Sequence, residues 1–419
     1  MQRRVEASPG VTLNAPSKPC RLSHSDPESE ARMSMLNVDT VAINATQATV
    51  PDIPLTSDDY RFVYYRNPDR FFRAAPLHYR IAPAPPALRA YSNVIYTPAT
   101  RLSKPFDGCL YDSELTRIDA SCVRRQRTET LLSTEPERYE GNPSELPVYD
   151  RPVLYLGRMH RHYGHWLQES LGSWWPLAEK PDGIDRFLFH IPDPRLFERH
   201  YVKACLSAMD VAPESLLHFD RPTLLRNVLV PDPALRLHSS INLKYRDFSH
   251  KLAAALGAED VTPTDQPMYL SKRLLEAGVR RFDGEDELET YLERRGVNIV
   301  YIEQLPFHEQ VRLYNRHRTI LGITGSGMLT INLALEPRTT IYFAETPPMP
   351  SCLLVDRCFE SDATYLNVCT NESTWNSIQR RIKKKLTGNA RDKRKNGFKM
   401  QYELDTKRAT DWLSKSGYL

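Results

Sequence analysis

Residues 268–345 read MYLSKRLLEAGVRRFDGEDELETYLERRGVNIVYIEQLPFHEQVRLYNRHRTILGITGSGMLTINLALEPRTTIYFAE. Short apolar runs rich in Val, Ile, Tyr and Phe alternate here with segments of helical spacing. MYLSKR, VNIVYIE, TILGI and TTIYFAE read as strands. GEDELETYLERRG reads as a helix: acids crowd its first turn, Leu288 and Leu292 share a face, arginines close it and Gly296 follows. PFHEQVRLYNRHR reads as a second helix, with Pro306 near its start and Val311 and Tyr314 on one face. MLTINLAL reads as a third. Strands and helices joined by such short connections predict a parallel sheet with helices packed on it.

Within that stretch, GITGSGMLTINLALEP (322–337) carries no charge before Glu336. A membrane span is excluded because the run is too short and holds Thr324, Ser326, Thr330 and Asn332. Its second half suits a core helix. Its first half, between a strand and a helix, suits a loop whose amides and small residues let an anion approach. Taken alone, Gly325-Ser326-Gly327 fits a ligand-free turn equally well, since it matches neither GxGxxG nor a Walker loop. Lys272 and Arg273 end a predicted strand, and Arg280 and Arg281 follow a glycine-containing loop. In open α/β sheets ligands bind beyond the carboxyl ends of strands, so cations there suit a diphosphate.

Upstream, NVIYTPA, GCLYD, PVLYLG, RFLFHI and NVLVPDP read as strands. Helical patterns lie at about 162–178, in LFERHYVKACLSAM and in INLKYRDFSHKLAAALGA. In GRMHRHYGHWLQESLGSWWPLAE, His160, His162 and His165 suggest a metal set, but no nearby cysteine or carboxylate completes one. His165 and Glu169 are four apart and stack on one helix face, which suits a general base with an orienting partner. Trp166, Trp174 and Trp175 suit stacking on a sugar ring, or packing in a core.

The 419 residues are 41% hydrophobic and 26% charged, with a net charge of +4. That composition suits a soluble globular protein and gives no charge-based case for nucleic acid. Seven scattered cysteines without a CxxC pair argue against a disulfide scaffold and for a reducing compartment. The organisation expected is a disordered tail over 1–50, an acceptor-side α/β domain over 51–262, a nucleotide-binding domain over 263–373 and a basic helical tail over 374–419. The run RRIKKKLTGNARDKRKNGFK in that tail suits a solvated face, or attraction to an anionic membrane surface.

The blocks HYGHWLQESL and 268–345 together resemble glycosyltransferase family 61, whose members transfer xylose, arabinose or N-acetylglucosamine. The resemblance spans about residues 150–345 and rests on the order and spacing of several short motifs. It implies a GT-B-like pair of facing Rossmann-like domains. It also implies inverting, metal-independent transfer from a nucleotide-diphosphate sugar, a UDP-sugar first, with no further cofactor. A glycan or lipid-linked glycan is the implied acceptor, with the protein cytoplasmic or peripheral at the cytoplasmic face of a membrane. By the same resemblance Glu169 or His165 falls at the acceptor. Lys272, Arg273 and Arg281 fall at the donor phosphates, Gly325, Ser326 and Gly327 in the loop, and Glu345 at the ribose. Three positions depart from the pattern. Thr324 stands where the family has histidine, and Ser271-Lys272-Arg273 stands for Ser-Arg. The asparagine after the loop is Thr330 by strict spacing, or Asn332 by a shift.

Overall fold

The computed structural model describes residues 51–72, 79–102, 105–123, 131–276, 278–371 and 398–419. The segment read as a disordered tail, and residues 380–397 of the basic run, lie outside them.

The 268–345 stretch forms the expected parallel sheet. Six strands lie in the order Asn298–Val300, Met268–Leu270, Thr319–Ile323, Thr339–Ala344, Asp362–Asn367 and Arg61–Val63, every pair parallel. The chain begins at Met268–Leu270, steps outward to Asn298–Val300, then returns past its start to Thr319–Ile323. Connections leave those two central strands in opposite directions, which opens a crevice beyond their carboxyl ends.

Alternate residues of these strands enter cores on the two sheet faces. Tyr269, Leu321, Ile323, Ile341 and Phe343 meet Leu288 and Leu292 of the Glu285–Glu293 helix and Leu413 of the Thr406–Ser416 helix. Met268, Leu270, Ile320 and Tyr342 meet Phe307, Val311 and Tyr314 of the Phe307–Arg316 helix and Leu354 of the Pro350–Cys358 helix. Leu288, Leu292, Val311 and Tyr314 are fully buried, as their helical spacing requires. Each such aliphatic side chain contributes roughly 1.5–3 kcal/mol.

A second, mixed sheet runs in the order Leu110–Tyr111, Leu88–Tyr96, Thr223–Pro231, Val153–Arg158, Phe187–His190 and Leu216–Leu217. Its first two pairings are antiparallel and its last three parallel. The described residues all belong to one compact unit. Position 262, the expected boundary, falls between the Leu243–Ala255 helix and the Met268–Leu270 strand. One apolar core runs across it, joining Trp166, Tyr201 and Phe248 to Phe307, Met328 and Leu353.

Four segments differ from the sequence reading. MLTINLAL forms a six-residue 3-10 turn, Met328–Leu333, because it must turn sharply beneath the sheet. The 162–178 helix is broken into a short α turn, Tyr163–His165, a π turn, Trp166–Ser170, and 3-10 turns as far as Ala178. Pro176 removes an amide there, and Gly172 would place a Cβ 3.2 Å from the Leu235 carbonyl. VRRF, which the sequence reading placed after a glycine-containing loop without assigning it an element, lies in a strand, Gly278–Asp283, paired in parallel with Phe398–Leu404. The tail read as helical therefore contributes a strand before its Thr406–Ser416 helix. Among the described residues no helix is long and apolar enough to cross a membrane.

Candidate active site

Two cavities flank residues 163–170. The first, about 280 Å³, occupies the crevice of the parallel sheet; Tyr163, Ser271, Lys272, Glu303, Ser326 and Gly327 are among its lining residues. The second, about 340 Å³, is lined by Glu169, His160, Arg89, Tyr91, Asp119 and Arg236, among others.

Lys272 leaves the Met268–Leu270 strand with its backbone N–H donating to Glu285 Oε1 at 2.8 Å. Its Nζ reaches across the crevice and donates to the Thr324 carbonyl at 2.8 Å. Burial lowers its pKa from 10.5 to about 8; Glu285 opposes that shift and Arg280 adds to it. Gly325 makes the approach possible, since a Cβ there would stand 2.5 Å from Lys272 Nζ. The half-buried Gly325, Ser326 and Gly327 have no acceptor for their amides among the described residues. Lys272 and the unpaired amides of Ser326 and Gly327 thus border one cavity, with the Gly325 amide next to them, which is the chemistry that binds an anion. The anion reading keeps the loop and the lysine but loses the helix dipole, because a six-residue 3-10 turn supplies little.

The other residues expected at the donor lie elsewhere. Arg273 Nε donates to Glu289 Oε2 at 2.6 Å and its Nη2 to the Tyr301 hydroxyl at 2.8 Å, which holds it along the helix. Arg281 is exposed, and strand alternation sends it to the face opposite Arg280. Arg280 pairs with Glu345 Oε1. Thr324, fully buried, donates its hydroxyl to Glu345 Oε2 at 2.8 Å. Both Glu345 oxygens are therefore engaged, and Glu345 does not line the crevice cavity. It bridges Arg280 and Thr324, away from the crevice cavity.

On the other side, His165 Nδ1 stands 2.7 Å from Glu169 Oε2. The i,i+4 pairing holds even though the helix changes to a π turn between them. Glu169 is 8% exposed and His165 37%, so the carboxylate is the fixed member and the ring the accessible one. The same turn touches the donor loop. A Cβ on Gly164 would lie 3.0 Å from Ser326 Cβ, and the hydroxyls of Tyr163 and Thr330 are 2.9 Å apart. Thr330 is thereby the partner of Tyr163, while Asn332 donates to the Tyr245 hydroxyl at 2.7 Å. Trp166, Trp174 and Trp175 are all buried, so core packing is their role. Among the described residues no group of three or more His, Cys, Asp or Glu is placed to hold a metal ion.

Residues 163–342 match the family model Glycosyltransferase 61. Over this stretch the chain is similar to glycosyltransferase 61. The match supports a glycosyltransferase and suggests a sugar donor and a glycan acceptor. The matched region takes in His165 and Glu169, Lys272, the Gly325–Gly327 loop and both central strands of the parallel sheet. No curated protein matches the chain.

Glu303, His200 and Tyr201, which line the crevice cavity, escaped the sequence reading. Glu303 carried a signal in hindsight: it follows a predicted strand at the sheet edge where ligands bind. His200 and Tyr201 carried none, because they reach the cavity only through packing of the His200–Ala208 helix.

Proposed function

We propose that the protein transfers a sugar, with inversion and without a metal, from a nucleoside-diphosphate sugar to a hydroxyl of a glycan or lipid-linked acceptor. A UDP-sugar is the first donor to test, and assembly of a surface polysaccharide is the setting the family resemblance suggests. The observation that carries this reading is that Lys272, Ser326 and Gly327 line one crevice cavity, with Lys272 Nζ bonded to the loop at the Thr324 carbonyl. These groups would neutralise the departing diphosphate, the task a divalent ion performs in other designs. His165, whose Nδ1 stands 2.7 Å from Glu169 Oε2, would take the acceptor proton as the acceptor oxygen attacks the anomeric carbon and the bond to the diphosphate breaks. Taken as a GT-B-like pair within one compact unit, the parallel and mixed sheets would set a donor on one side of residues 163–170 and an acceptor on the other. Attraction of the 380–399 basic run to an anionic membrane would bring the site to a lipid-linked acceptor.

Thermal unfolding with a panel of UDP- and GDP-sugars, with and without EDTA, tests the donor site. Stabilisation by one nucleotide family, insensitive to EDTA, is the expected result; none by any member rejects the proposal. His165→Ala and Glu169→Gln should each lower turnover about 100-fold or more while nucleotide affinity stays within a few-fold. Thr324, locked to Glu345 where the family has histidine, favours one second reading, a relative that binds without transferring. Nucleotide binding without product from any acceptor would select it.

A further inference from the structure

The crevice cavity lined by Lys272, Ser326 and Gly327 also presents a carboxylate. Glu303 lies in the Ile302–Gln304 turn, immediately beyond the edge strand Asn298–Val300, and lines the same cavity as Lys272, Ser326 and Gly327. It has no cation partner among the described residues, although Glu289, Glu345 and Glu285 around the same crevice are all engaged. A carboxylate beside an anion site weakens anion binding unless the ligand also brings hydrogen-bond donors to it. A fully ionised diphosphate group brings none. A ribonucleoside diphosphate brings two, the 2′- and 3′-hydroxyls of its ribose, at a distance from its phosphates. The sheet order places Glu303 accordingly. The phosphate-binding groups sit over the two central strands, and the acid follows the next strand outward, where a nucleoside extends in parallel nucleotide-binding sheets. His200 and Tyr201 give the cavity an aromatic wall.

We propose that Glu303 is the ribose-diol ligand of the donor site and makes the protein selective for ribonucleotides over 2′-deoxyribonucleotides. This rests on the nucleotide-sugar reading above and replaces Glu345 in the role first expected of it. Both ribose hydroxyls donate to the carboxylate, an arrangement independent of which base the donor carries.

The test compares UDP, GDP and their 2′-deoxy counterparts by calorimetry, on the full chain and on Glu303→Ala and Glu303→Gln. The native chain should bind the ribonucleotide about 10- to 100-fold more tightly than its deoxy form, as loss of a hydrogen bond to a charged group requires. Glu303→Ala should bind both forms equally, and more weakly than the native chain binds the deoxy form, because it loses the bond from the 3′-hydroxyl as well, with Glu303→Gln intermediate. Unchanged thermal unfolding of both variants without ligand excludes a folding defect, since Glu303 is exposed. Undiminished discrimination in Glu303→Ala overturns the assignment while leaving the donor site intact. A loss seen only with nucleotide sugars, and not with UDP or GDP, places Glu303 on the transferred sugar and also overturns it. If the native chain binds no nucleotide at all, the donor reading falls and the assignment falls with it.

Discussion

Lys272 shows how one side chain is tuned by its surroundings. Its ammonium is half-buried against Phe282, 5.1 Å from the ring centroid, and held by a backbone carbonyl rather than a carboxylate. The lysine is therefore easier to deprotonate in the folded chain than in the unfolded one, with a pKa of about 8. Between about 8 and 10.5 the unfolded chain binds more protons, so this residue's contribution to stability rises with pH and is least favourable below 8. Binding has the opposite sign, since only the ammonium attracts phosphate. Nucleotide affinity should fall as pH rises above 8, with the midpoint shifted upward in the complex by the phosphate charge. Lys272→Met should weaken UDP about 10- to 100-fold, remove that pH dependence, and leave the chain no less stable at pH 7. Calorimetry across pH 6.5–9.5 and thermal unfolding together check all three. Affinity that is flat with pH in the native chain would remove Lys272 from the phosphate site.

At the scale of elements, the Pro350–Cys358 helix is pinned to the parallel sheet by a buried carboxyl. Asp356 is fully buried, and it accepts from the Tyr342 hydroxyl at 2.8 Å and the Tyr365 hydroxyl at 2.5 Å. Burial raises its pKa from 3.8 to about 7, against the lowering effect of those hydroxyls. A raised pKa means that its stabilising contribution is complete below about pH 4 and is lost as pH rises through about 7. Asp356→Asn keeps the size and an acceptor oxygen but cannot ionise. The variant should gain on the native chain as pH rises from 4 to 8, by about 1 kcal/mol or more, read as the difference between two urea-unfolding series. Parallel series would show that Asp356 does not titrate in that window. The 163–173 segment makes a related point about elements. The periodicity placed His165 and Glu169 on one face, and they do meet, but a continuous helix would not bring Gly164 against Ser326.

Across the whole molecule, the parallel sheet is completed by a segment more than 200 residues upstream of its first motif. Arg61–Val63 pairs with Asp362–Asn367, and Tyr60 beside it donates to the Leu353 carbonyl at 2.6 Å. Tyr60 also stacks on Phe72 and meets Tyr365 edge-on, which ties the two ends of the chain together. Tyr60→Ala should destabilise the protein by about 3–5 kcal/mol and lower nucleotide affinity little, because the crevice lies on other strands. Chemical denaturation and UDP titration of the same variant separate these effects.

Most of the parallel sheet was legible in the sequence because its strands and helices follow one another with short connections. Local periodicity then predicts both the element and its buried face, as Leu288, Leu292, Val311 and Tyr314 illustrate. Lys272 and the Gly325–Gly327 loop were legible for the same reason, as residues just past the ends of strands. Contacts between distant segments decided the rest. Arg280 rather than Arg281 meets Glu345 because residues 278–283 pair with 398–404 and so adopt a period of two. Glu345 is engaged because Arg280 and Thr324 reach it, and Glu303 is left open because no cation among the described residues does. Hydrophobic spacing is written in neighbouring residues, whereas the partner of a charged group is set by which strands lie side by side, and only the folded chain determines that.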